Sequence, residues 1–141
     1  MRRTMGVLSV LFCLLCMADA LAAQSGQANG FQLGQNYPNP FNPETTIPFV
    51  LGEDLFVNGS AVVSIRIFNI LTQLVAHPIA LGHPSGQGVE IDRLEYAQPG
   101  RYEAFWDGND LQGRQVASGI YLMQLTVNGL KPLTRKMYVL K

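Results

Sequence analysis

Between Leu33 and Leu51 the chain reads LGQNYPNPFNPETTIPFVL, and Pro38, Pro40, Pro43 and Pro48 constrain the fold more than any other feature. Each lacks an amide donor and biases the residue before it toward extended geometry, so no helix forms here. The segment runs as an extended, turning lead-in that ends as a strand.

The rest of the chain, from Phe31 to Lys141, has no convincing helical periodicity and reads as short strands punctuated by turns. In AVVSIRIFNI, Ala61, Val63, Ile65 and Ile67 fall on one face, with Ser64 and Arg66 on the other, the alternation of a half-buried strand. TQLVAHPIAL follows after a very short turn as its hairpin partner. RYEAFWDG alternates Tyr102, Ala104 and Trp106 against Arg101, Glu103 and Phe105. A further strand is expected from Ile120 to Val127, then a turn at Asn128-Gly129, a pair that accepts positive φ, and a last strand from Leu133 to Leu140. About seven strands with turns at such spacing predict an all-β fold, an immunoglobulin-like antiparallel β-sandwich.

The N-terminus has a different logic. Arg2 and Arg3 precede an apolar run from Met5 to Ala18 and the small-residue stretch ADALAA, the layout of a cleavable secretory signal peptide. Cleavage is expected after Ala22, with Ala20 and Ala22 as the small-x-small pair and Ala23 opening the mature chain. The apolar run is shorter than the roughly 20 residues a spanning helix needs, so no transmembrane helix is expected in the mature chain. RRTMGV is a poor twin-arginine signal. Cys13 follows Phe12 and Cys16 follows Leu15, so neither has the small residue before it that lipidation requires. The expected organisation is a signal peptide at 1–22, a flexible leader at 23–30 carrying QSGQANG, and one domain at 31–141. Both cysteines fall inside the signal, which leaves the domain without disulfide or thiol chemistry.

Ten basic residues balance ten acidic ones, which argues against nucleic acid as a partner. Catalysis finds no support either. His77 and His83 are the only histidines, and Ser60, Ser64, Ser85 and Ser118 stand in no nucleophile-elbow context. No catalytic residue, cofactor or small-molecule substrate is expected. In WDGNDLQG, Asp107, Asn109 and Asp110 cluster as calcium ligands do, but Leu111 at the fifth loop position and Ser118 at the twelfth break the EF-hand pattern. A tight turn built on Gly108 and Gly113 is the better reading. The last strand carries Arg135 and Lys136, with Lys141 after it: either a solvated edge guarded by charge or a surface read by another protein.

Taken in order, QNYPNPFNPETTIPFVL, VSIRIFNILTQLV, WDGNDLQGRQVASGIYLMQL and the terminal RKMYVLK resemble the type A C-terminal sorting domain of the type IX secretion system. That domain is similar in turn to the immunoglobulin-like domain of the flagellar hook-capping protein. The resemblance spans Phe31 to Lys141. It implies a non-enzymatic β-sandwich that directs exported proteins of Gram-negative bacteria from the periplasm through the outer membrane, to the cell surface or the medium. The implied partner is the outer-membrane type IX machinery. Asn39, Pro40, Phe41, Asn42 and Pro43 would open the domain, and Trp106, Asp107, Gly108, Ser118, Gly119 and Tyr121 would mark its middle turns and strand. Arg135, Lys136 and Lys141 would be the charged contacts to the translocon. Sorting domains of this kind normally follow a large passenger, whereas here only the leader separates the signal from Phe31. Two other readings compete: a free-standing structural or adhesive module of the cell surface, and a small calcium- or sugar-binding module using Tyr102, Phe105 and Trp106.

Overall fold

The computed structural model of the chain describes residues 30–141. The expected signal peptide, with Ala20, Ala22 and Ala23, and the leader up to residue 29 lie outside the described residues.

Nine strands form two antiparallel sheets that pack as a sandwich. They are β1 (Phe31–Leu33), β2 (Thr45–Leu51), β3 (Ala61–Phe68), β4 (Leu74–Ala76), β5 (Ile79–Ala80), β6 (Leu94–Tyr96), β7 (Gly100–Trp106), β8 (Gly119–Val127) and β9 (Leu133–Val139). One sheet has the order β1-β2-β7-β5 and the other β4-β3-β8-β9, with β6 pairing alongside the first half of β3. Among the described residues no helix is long and apolar enough to cross a membrane.

The core sits where the two alternating faces meet. Ile47, Phe49, Leu51, Ala104 and Trp106 face it from one sheet; Val63, Ile65, Ile67, Met123, Leu125, Val127 and Met137 face it from the other. The alternation expected for β3 and β7 holds, because a half-buried strand must direct every second side chain inward. Ser64 is the exception on the outer face. It is buried, and its hydroxyl accepts the Arg93 N–H at 2.9 Å, because the turn at 92–93 folds over it.

Three boundaries differ from the expected ones, each for a physical reason. The segment after the β3 turn is two strands, not one hairpin arm: Ala76 pairs with Ile67, while Ala80 pairs with Ala104 in the opposite sheet. Buried Pro78 stands at this crossing, and having no N–H it could not have continued the β3 ladder. β8 begins one residue earlier, at Gly119, opposite Val139. β9 ends at Val139 because the Leu140 N–H turns to the Phe41 carbonyl, 3.1 Å away. The Asn128-Gly129 turn forms as the pair predicts, with φ of 53° and 71° and the Leu130 N–H donating to the Val127 carbonyl at 2.9 Å.

Candidate functional site

The proline-rich lead-in leaves β1 in one sheet, crosses to the last strand of the other, and returns as β2. Its prolines cannot donate hydrogen bonds, so their neighbours supply the ties. The Phe41 N–H donates to the Tyr138 carbonyl at 3.0 Å, and the Tyr138 N–H donates to Asn39 Oδ1 at 3.0 Å. With the Leu140 bond, these make a short parallel bridge between Phe41 and Val139. Further up the strand, Gln35 Nε2 donates to the Lys136 carbonyl at 3.0 Å. The sheet edge that β9 would otherwise present to solvent is therefore occupied at three points along its second half and at Leu140 just past its end.

Side chains lock the same end of the sandwich. Phe41 is buried and meets Trp106 edge-on, with ring centroids 5.3 Å apart, and Trp106 meets Tyr121 in the same manner at 5.8 Å. Such pairs add about 0.5–1.5 kcal/mol beyond the area they bury. The Trp106 indole N–H reaches the Asn109 carbonyl at 2.9 Å, and the Tyr121 hydroxyl donates to the Ala117 carbonyl at 2.8 Å. Burial raises the Tyr121 phenol above its ordinary range. Gly108 is required sterically: a Cβ there would lie 2.2 Å from the Pro43 carbonyl oxygen. Ser118 Oγ accepts the Lys141 N–H at 2.9 Å and so ties the chain end to the start of β8.

Asn39, Phe41, Pro43, Trp106, Gly108, Ser118, Gly119 and Tyr121, spread over the sequence, thus meet at one end around β9. Pro40 and Asn42 stand exposed beside them. Asp107 lies in the adjoining turn, where its Oδ1 accepts the Asn109 N–H at 2.9 Å. Asp110 Oδ1 accepts the N–H groups of Gln112 and Arg114 at 2.9 and 3.0 Å. The Arg114 amide is the main reason the Asp110 carboxyl is held below the usual carboxylate range. These carboxylates act as turn caps, and among the described residues no group of three or more His, Cys, Asp or Glu is placed to hold a metal.

The three basic residues expected to act as charged contacts are not brought together. Arg135 shares the inward register of Met137, and its Nε donates to the Leu33 carbonyl of β1 at 2.6 Å, bridging the two sheets. Lys136 points the opposite way, onto the outer face, and Lys141 lies beyond the strand. The cause is the alternation of a strand: neighbours 135 and 136 must face opposite sides.

Sequence reasoning missed Asn36 and Thr45, both buried. Asn36 Nδ2 donates to Thr45 Oγ1 at 3.0 Å and to the Pro38 carbonyl at 3.2 Å, and Thr45 Oγ1 donates to the same carbonyl at 3.0 Å. The available signal was chemical: a proline-dense loop that packs against a core needs side-chain donors for its carbonyls.

No known protein family matches the chain, and no curated protein does. Two solved structures from Porphyromonas gingivalis are similar. One is PorZ, described as an essential bacterial surface component of the type IX secretion system, with a TM-score of 0.46 at 19% identity over 83% of this chain and 12% of PorZ. The other is dimeric latent PorU, with a TM-score of 0.51 at 20% identity over 77% of this chain and 9% of PorU. The chain spans about a tenth of the length of either protein, and what it shares with the PorU segment is the sandwich fold.

Proposed function

We propose that the chain is a non-enzymatic sorting domain that directs export across the outer membrane of a Gram-negative bacterium through the type IX secretion system. Its destination on this reading is the cell surface or the medium, reached by way of the periplasm. One observation carries the proposal. The motif residues of the lead-in, of the turn after β7 and of the start of β8, far apart in the sequence, meet at the end of the sandwich where the lead-in clamps the last strand, although the three basic residues do not join them. A machine that accepts many different passengers has to read something constant, and a rigid, bonded corner of a folded domain is suited to that. Stiff prolines contribute by lowering the entropy lost when the lead-in is ordered.

The test places a fluorescent reporter in the 24–30 leader of the full chain and follows surface or medium exposure in hosts with and without a working type IX translocon. Exposure that requires the translocon is the expected result. A folded reporter retained in the periplasm of both hosts would overturn the proposal.

A further inference from the structure

Half of the large apolar side chains that the described residues leave exposed lie on one face of one sheet and the turn beside it. Ile70, Leu71, Leu74, Ile120, Tyr138 and Leu140 are each at least 40% exposed. The pairing explains how they meet. Leu74 lies opposite Phe68, Phe68 opposite Leu122 and Leu122 opposite Lys136, which makes one row across the outer face of the β4-β3-β8-β9 sheet. Ile120 opposite Tyr138 makes the next row, toward the end where β3 and β9 both finish. Beyond it stand Ile70 and Leu71, 71% and 73% exposed, at the tip of the β3–β4 turn.

That tip is held open by hydrogen bonds. Asn69 Oδ1 accepts the N–H groups of Leu71 and Gln73, each at 3.0 Å, and Asn69 Nδ2 donates to Gln73 Oε1 at 2.8 Å. The backbone adds Thr72 N–H to the Asn69 carbonyl at 3.0 Å and Asn69 N–H to the Gln73 carbonyl at 3.1 Å. Two aliphatic side chains are thus presented to water by a turn whose polar groups are satisfied internally.

Charge is unevenly spread on this face. β3, β4, β8, β9 and the 69–73 turn contain no Asp or Glu, while Arg66 and Lys136 point outward from the same sheet. Asp92 and Arg93 line the recess they share with Arg66, Phe68 and Leu74. Within this sheet the one carboxylate, Glu95 of β6, lies opposite Val62 at the far end of β3, while Lys136 stands in the apolar row itself.

We infer that this face docks a protein of the export machinery that presents apolar side chains bordered by carboxylates; the inference rests on the sorting reading above. The position of Lys136 selects the occupant. It lies in the row with Leu122, so whatever covers the row must place a carboxylate opposite it. A lipid surface takes an apolar edge with its cations lifted clear. A second copy laid face to face about a two-fold axis would set Arg66 and Lys136 against their own like charges.

The test uses the full chain with its reporter in the same two hosts. Ile70→Ser/Leu71→Ser and Lys136→Glu should each lower translocon-dependent delivery about tenfold, as for residues central to a protein interface. Lys136→Arg, and Val57→Ser at an exposed site outside this face, should leave delivery unchanged. Melting of each recovered chain verifies folding, and Lys136→Glu, on an exposed side chain, reads the face independently of turn stability. If the unaltered chain shows translocon-dependent delivery and both folded variants match it, the face is overturned while the sorting reading stands. If the unaltered chain needs no translocon, both fail. Sedimentation revealing a dimer that Ile70→Ser/Leu71→Ser splits, or variant-sensitive binding to phosphatidylglycerol vesicles, would assign the face to another occupant and overturn the inference.

Discussion

Gly108 and Gly113 share the same φ of +77°, yet a Cβ at Gly108 would meet the Pro43 carbonyl oxygen at 2.2 Å, whereas one at Gly113 would meet nothing within 4 Å. The pair separates two costs that are usually confounded. Gly113→Ala should lose only the left-handed backbone penalty, roughly 1–2 kcal/mol. Gly108→Ala should lose that and the cost of displacing the lead-in, about 2–5 kcal/mol in total. Urea midpoints read the difference, and equal losses would mean that the lead-in yields freely. A second residue-scale prediction concerns Tyr96, buried against Phe49, Tyr102 and His83. Burial, then the neighbouring Tyr102, pushes its phenol from 10.0 up to about 12. The folded state prefers the neutral form, so this stabilisation is complete below pH 10 and is lost as pH rises toward 12. Tyr96→Phe should melt with a shallower fall across that window than the unaltered chain. Tyr37 and Tyr121 shift in the same direction, so the fall is reduced and not abolished. Parallel curves for the two proteins would remove Tyr96 from the account.

Among the elements, the lead-in and β9 depend on each other. Asn39→Ala removes the acceptor for the Tyr138 N–H and should cost about 1 kcal/mol, with faster amide exchange at Tyr138. Phe41→Ala also empties a buried site against Trp106 and should cost about 3–5 kcal/mol. Should Tyr138 exchange unchanged in both variants, the clamp is a contact without energetic consequence. This coupling was only half legible in the sequence. The strands β3, β7 and β8 announce themselves because alternation is local, and Asn128-Gly129 because positive φ is a property of the residues themselves. The sheet to which a segment belongs is set by distant partners, which is why 74–80 read as one arm and divides at Pro78. The prolines said that the lead-in was rigid. They could not say that it lies along Tyr138 and Leu140, because those ties are made by Asn39 Oδ1 and backbone atoms, on which residue type leaves little mark. Arg135 and Lys136 read as one basic cluster until the register of β9 sets them on opposite faces.

At the scale of the whole molecule, the last strand has two roles that a truncation cannot separate. Removing 133–141 takes buried Met137 and Val139 out of the core and leaves β8 as a bare edge. It also removes the partners of Gln35, Asn39, Phe41 and Ser118. Losing a buried Met alone costs roughly 2–5 kcal/mol, against a stability of about 5–15 kcal/mol for a typical domain. The truncated chain should therefore show no cooperative melting transition, whether or not β9 is also read by a partner. Adding residues 133–141 back as a separate peptide should restore a cooperative melt, since β9 enters the sheet through β8 alone and its inward side chains refill the site they left in the core. A truncated chain that melts cooperatively without the peptide would show that β9 is an accessory to the fold. In that case loss of delivery on truncation could be ascribed to recognition of the strand itself. With the expected outcome, loss of delivery on truncation reports folding first, and recognition has to be read from substitutions such as Lys136→Glu that leave every core contact of β9 in place.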